Sequence, residues 1–186
     1  MPIHVTKTTL PAVKLIRHDV YGDARGFFME TYNARDFRDA GIDAEFVQDN
    51  LSSSRKGVVR GLHYQLGRPQ AKLVRVLEGS VWDVAVDIRK GSETFGHWTA
   101  AELSGENKHS LFVPEGFAHG FCVLSDTAVF SYKCSDFYAP EEERGIAWND
   151  PKINIPWPLD GAPPILSEKD RELPTLSQLP PADLPG

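Results

Sequence analysis

The chain has 186 residues, 41% of them hydrophobic and 25% charged, with a net charge of −6 at neutral pH, which suits one soluble domain with a core of its own. No apolar run reaches membrane-spanning length, and the acidic balance argues against a nucleic-acid surface, because affinity for a phosphate backbone needs clustered Lys and Arg. A small anionic ligand stays compatible with it, since a local basic pocket opposes the overall charge.

The opening stretch "MPIHVTKTTLPAVKL" has neither an apolar core of signal-peptide length nor a small-residue cleavage site, and it reads as mature cytoplasmic protein. In "NARDFRDAG" a short helix is expected, capped by Asn33, with Phe37 and Ala40 inward and Gly41 as its stop. The segment "VVRGLHYQ" then sets Arg60, His63 and Gln65 among apolar residues. His63 is a metal ligand, a proton-transfer base or a packed core histidine. In an uninterrupted strand Arg60 and His63 have opposite parity, so either Gly61 introduces a bulge or the two do not share a pocket.

Further along, "KLVRVLEGSVWDVAV" predicts a hairpin turning at Glu78-Gly79-Ser80. Its second half alternates Trp82, Val84, Val86 and Ile88 with Asp83, Ala85 and Asp87, the pattern of a half-buried strand. Lys72 shares the parity of Val74 and Val76. Either its ammonium points into the core, where it needs an anion, or it sits at the strand mouth and reaches solvent. The segment from Thr94 to Tyr138 continues as short strands separated by Gly, Asn, Asp, Ser and Pro. Tyr132 shares a face with Phe130 and Cys134. Cys122 and Cys134 show no metal or disulfide spacing and read as buried thiols. From Pro151 onward lie nine of the fourteen prolines, which predicts an extended wrap over residues 151–186, with Trp148 and Trp157 as anchors and a helical turn near "SEKDREL". The whole, residues 1–186, reads as a single all-β domain, an antiparallel sandwich or barrel of the jelly-roll kind with a few short helices and an extended C-terminal tail.

Small molecules bind in such barrels where polar side chains interrupt an apolar lining; here the candidates are Arg60, His63, Gln65, Lys72, His119 and Tyr132. Metal-binding cupins use two histidines one residue apart, a glutamate and a more distant histidine. This chain has His63-Tyr64-Gln65 instead, and glutamine is a poor ligand for transition metals. Proton-transfer chemistry gains from that, because imidazole accepts a proton near neutral pH and a partner carboxylate sets its tautomer.

The segments "GDARGFFMETYN", "FVQDN", "VVRGLHYQ", "AKLVRVLEGSVWDVAVDIRKGSETFG", "LFVPEGFAHGFCVLS", "YKCSDFY", "GIAWNDP" and "ILSEKD" occur in one order, and together the chain resembles the dTDP-4-dehydrorhamnose 3,5-epimerases of the cupin superfamily. The resemblance implies a cupin-like jelly-roll barrel and a cytoplasmic homodimer acting on a thymidine-diphosphate-linked 4-keto-6-deoxyglucose in dTDP-L-rhamnose biosynthesis, with no metal and no cofactor. By that resemblance His63 is the base, Asp170 the carboxylate that orients it, Lys72 the cation at the enolate oxygen and Tyr132 the acid on the opposite face. It further implies substrate contacts from Arg25, Phe27, Glu30, Gln48, Asn50, Arg60, Lys72, His119, Glu143 and Lys169. Glu141 or Glu142 could replace Glu143, and the alternative for Asp170 is a helix-start carboxylate in the tail. A related enzyme acting at carbon 3 alone or on an antibiotic sugar would use the same residues. A non-catalytic ligand-binding cupin would keep the basic pocket without needing a base and an acid.

Overall fold

The computed structural model describes residues 2–186. Strand β1 (Ile3–Lys7) pairs with β2 (Lys14–His18), and the sheet continues through β10 (Ser110–Val113), β7 (Lys72–Glu78) and β12 (Thr127–Cys134) to β5 (Gln48–Arg55). The second sheet runs β13 (Glu143–Gly145), β6 (Val59–Gln65), β11 (Phe117–Val123), β8 (Ser80–Asp87) and β9 (Trp98–Ser104). All these pairings are antiparallel. Val74, Val76, Leu111 and Phe130 of one sheet meet Val81, Ala85, Leu103 and Phe121 of the other in a single buried cluster. This is the jelly-roll architecture expected from many short alternating strands. A small hairpin, β3 (Tyr21–Asp23) and β4 (Gly26–Phe28), pairs with neither sheet.

Helix α1 (Ala34–Asp39) forms where its signals lie: the Asn33 side chain accepts from the Arg35 amide, Phe37 is buried and Gly41 takes φ +75°. Ala40 is only half-buried. It faces inward less than the helical periodicity implied.

Two local expectations fail for the same reason. The segment around Gly79 is no hairpin, because β7 pairs with β10 and β12 while β8 pairs with β11 and β9. At Gly79 (φ +76°) the chain crosses from one sheet to the other, and a Cβ there would collide with the Thr127 carbonyl. Alternation reports which residues share a face and is silent about the partner strand. Strand β8 is also buried on both faces rather than one. Val81, Asp83 and Ala85 face the barrel interior, while Val84, Val86 and Ile88 pack under Ile153, Ile155, Leu176 and Leu179 of the C-terminal tail.

That tail is an extended wrap, as the prolines implied. Trp157 donates from Nε1 to the Trp148 carbonyl at 2.7 Å and meets Trp82 edge-on at 5.6 Å. Asp150, buried, accepts from the amides of Lys152, Ile153 and Leu176. Ile165 bridges to Val58, and the short helix α2 (Glu168–Arg171) is thereby laid against β6. No helix among the described residues is long and apolar enough to cross a membrane.

Candidate active site

The barrel mouth opens where β6 breaks its register. His63 stands opposite His119 on β11, yet Arg60 stands opposite Phe121, so Gly61 and Leu62 together face the single residue Gly120. This β-bulge re-aims the strand and brings Arg60 and His63 onto one cavity. Gly61 has φ +108°, and a Cβ on it would lie 2.6 Å from the His119 carbonyl oxygen. Only glycine satisfies both demands.

The cavity has two adjoining lobes. The first, about 350 Å³, is lined by Arg60, His63, Lys72, His119 and Tyr132, with Phe121, Phe130 and Ile165 as apolar wall and Ser167, Lys169 and Asp170 from the tail. The second, about 330 Å³, is lined by Gln48, Asn50, His63, Lys72, Tyr132, Cys134, Tyr138 and Glu143. His63, Lys72 and Tyr132 border both lobes. Volumes of this size suit a small organic ligand.

Asp170, only 5% exposed, accepts from His63 Nε2 at 2.6 Å across 107 positions of sequence. Ser167 caps α2 by accepting from the Asp170 amide, which fixes the carboxylate toward β6. Burial works to raise the Asp170 pKa, but the His63 and Ser167 hydrogen bonds and the charges of His63 and Lys169 outweigh it and leave the carboxyl below its usual value. An ionised carboxylate only accepts, so Nε2 is the donor to Asp170, and in the neutral imidazole Nδ1 is the nitrogen left to accept a proton.

Lys72 begins β7 on the face of Val74 and Val76, both buried in the barrel core, so its ammonium points inward. Burial lowers its pKa against the opposing pull of Cys134, Asp83 and Glu143. Burial holds the Tyr132 phenol above its ordinary value, which keeps it protonated at neutral pH. At the rim, Glu143 Oε2 pairs with Lys169 and accepts from Tyr138 Oη at 2.6 Å. Burial alone would raise the Glu143 pKa, yet Lys169 and Tyr138 hold it low. Of the three adjacent glutamates Glu143 is the one that lines the cavity, while Glu142 accepts from the Gly67 amide.

Gln48 donates to Asn50 at 3.1 Å, and Asn50 donates to Cys134 Sγ at 3.5 Å. Gln65 spends its amide on the backbone of Arg68, Phe137 and Ala139 and is a structural residue. Arg25, Phe27 and Glu30 line neither lobe. Arg25 pairs with Asp23 at 2.5 Å, and Phe27 is 61% exposed beneath the Lys108 ammonium.

Sequence reasoning missed Asp83 and Tyr138. Asp83 is fully buried, with both carboxylate oxygens within 2.9–3.0 Å of His119 Nε2. Burial pushes its pKa up while His119 and Lys72 pull it back. The one available signal was an acid recurring on a strand whose remaining residues after Ser80 are apolar.

A jelly-roll barrel whose cavity brings together an imidazole–carboxylate pair, a lysine ammonium and a protonated phenol has the groups that proton transfer needs, the pattern of the cupin-type isomerase class. A sequence model of the dTDP-4-dehydrorhamnose 3,5-epimerases matches residues 7–178, and the chain belongs to that family. It is 57% identical over 170 residues to the enzyme of that name from Shigella flexneri, covering 90% of this chain and 93% of that one. It is 56% identical over 166 residues to a Neisseria gonorrhoeae relative, 89% of this chain, but spans only 50% of that protein's length. The solved Legionella pneumophila epimerase in complex with dTDP-4-keto-L-rhamnose superposes with a TM-score of 0.96 at 50% identity, covering 98% of this chain and 97% of that one.

Proposed function

We propose that the protein converts dTDP-4-dehydro-6-deoxy-D-glucose to dTDP-4-dehydro-L-rhamnose by inverting carbons 3 and 5. The observation that carries this reading is that His63 and Tyr132 border the same two lobes as Lys72. A base and an acid therefore share one reacting centre with a cation at hand.

The two carbons flank a ketone, so their hydrogens are acidic. His63 Nδ1 takes the proton, the C–H electron pair moves into a carbon–carbon double bond, and negative charge gathers on the carbonyl oxygen. Lys72 is the electrophile for that charge, a role in which a fixed cation in a water-poor cavity is worth most. Tyr132 returns a proton from the other face, which inverts the carbon. Asp170 keeps His63 in the tautomer that presents a bare nitrogen. Arg60 and Lys169 are the cations for the pyrophosphate, and Gln48, Asn50, His119 and Glu143 the polar contacts for the nucleotide-sugar. No metal and no cofactor takes part in this scheme. Two free cysteines fit a reducing cytoplasm. Incubation with the 4-keto sugar nucleotide in deuterium oxide tests the reading: label at carbons 3 and 5 with formation of the rhamno product is expected. Label at carbon 3 alone identifies a monoepimerase, and no label at either carbon removes the catalytic reading.

The active form on this reading is a homodimer. Arg25, Phe27 and Glu30 are assigned to the substrate yet stand outside the chain's own cavity, on or beside a hairpin whose Tyr21, Phe27 and Phe28 are 52–62% exposed. A second copy that receives this hairpin reconciles the two. Mixing an Arg25→Ala protein with a His63→Asn protein creates dimers with one complete site, so about a quarter of native activity should return. No recovery after subunit exchange counts against the shared site.

A further inference from the structure

Asp83 has no part in the scheme above, and its position is costly. The other residues of β8 that face the barrel interior, Val81 and Ala85, are apolar and fully buried. A carboxylate among them loses its hydration, and apolar replacements of buried ionic groups commonly leave a fold as stable or more so. Fold stability therefore gives no reason for an acid here. The neighbours do: Asp83 holds His119 Nε2 with both oxygens at 2.9 and 3.0 Å, and its charge bears on Lys72. His119 is in turn the cross-strand partner of His63. The cavity is thus lined by two imidazoles that each hold a carboxylate, His63 with Asp170 and His119 with Asp83, the last buried behind the cavity wall.

We propose that Asp83 is a positioning residue of the epimerase: from the barrel interior it selects which nitrogen of His119 faces the sugar and supplies the negative charge that keeps Lys72 cationic beside the enolate. This rests on the function proposed above. The groups that bear on Lys72 are Asp83 from β8, Cys134 from β12 and Glu143 from β13, with His63 of β6, His119 of β11 and Tyr132 of β12 lining the same cavity. Of these, Asp83 and Glu143 are the carboxylates, and Glu143 is already paired with Lys169. Asp83 is the one whose charge reaches Lys72 from the interior face of β8. It acts through His119 and Lys72 and is not itself a catalytic group.

The test is Asp83→Asn, which keeps size and hydrogen-bonding capacity and removes the charge. Turnover against pH should show kcat lower by about 10–10²-fold, the range for a carboxylate that orients a metal-bound rather than a proton-abstracting histidine, with the alkaline limb moved to lower pH by about one unit, as loss of a neighbouring opposite charge dictates. Melting temperature should change little. An unmoved alkaline limb together with a lowered melting temperature makes Asp83 a packing residue and overturns the proposal. Substrate-free nitrogen-15 spectra of the native protein supply a check that needs no variant: His119 must carry its proton on Nε2 at neutral pH, and the Nδ1–H tautomer overturns the assignment even if Asp83→Asn does not fold. Native protein runs beside the variant in the exchange assay. A native protein that exchanges neither carbon 3 nor carbon 5 defeats the proposed function, whereas an active native enzyme with an unmoved limb in the variant defeats this inference alone.

Discussion

Replacing Asp170 by Asn isolates the part of the site that the tail delivers to the barrel. The carboxylate accepts from His63 Nε2 at 2.6 Å and is 5% exposed. A hydrogen bond to a charged group contributes about 1.5–3 kcal/mol and a neutral one about 0.5–1.5 kcal/mol, so the substitution removes about 1–1.5 kcal/mol of hold on the imidazole. At about 1.4 kcal/mol per tenfold in rate, orientation alone accounts for about a tenfold loss. The lost basicity of the imidazole extends this to about 10–10²-fold. His63→Asn removes the base itself and should lose about 10²–10⁴-fold. For a chain of this length the stability change corresponds to about 2–6 °C in Tm. The pH dependence has a definite sign. Asp170 titrates below its unfolded value, so its ionisation stabilises the fold fully above about pH 4 and the contribution fades as pH falls through the folded value. The Tm gap between native and Asp170→Asn protein should therefore be widest near neutrality and close in acid. Exchange of substrate hydrogen by NMR and Tm by calorimetry, on the same preparations, give both quantities. An Asp170→Asn protein with native turnover refutes the dyad.

Tyr132→Phe removes the acid and keeps the ring, so deuterium exchange at carbon 3 should outlast net inversion at carbon 5; equal loss of both points to packing. Gly61→Ala places a methyl 2.6 Å from the His119 carbonyl at φ +108°, costing about 1–3 kcal/mol from the backbone conformation alone. Lower Tm and lost activity should appear together in that variant, and native behaviour in thermal melts and assay rules out the bulge as the organiser of the site. Prolonged dialysis against a chelator should leave turnover unchanged, because the proposed mechanism gives the electrophilic work to Lys72; activity that vanishes and returns with a divalent ion sinks the mechanism.

Local chemistry in the sequence was sufficient for several features. Asn33 and Gly41 delimit α1 because capping and positive φ are properties of single residues. The alternation in β7 and β8 identifies which residues share a face and puts Lys72 with Val74 and Val76, but the choice between an inward ammonium and one reaching solvent at the strand mouth fell to the structure, where Lys72 lines the cavity. Proline density alone announces the tail. The pairing of strands was beyond that reach, because alternation is the same whichever neighbour a strand takes. Gly79 therefore reads as a hairpin turn until the two sheets show that the chain crosses between them. The same holds for the Gly61 bulge, which depends on Gly120 across the sheet. Asp83 alternates with the apolar row of β8, and nothing local indicates that the tail covers that apolar row and leaves Asp83 turned into the barrel. His63 and Asp170 are distant in sequence, and no periodicity relates them. Only the docking of the wrap, held by Asp150 and the Ile165 bridge, brings the carboxylate to the imidazole, because burial of the tail's apolar residues against β8 is a property of the folded chain as a whole.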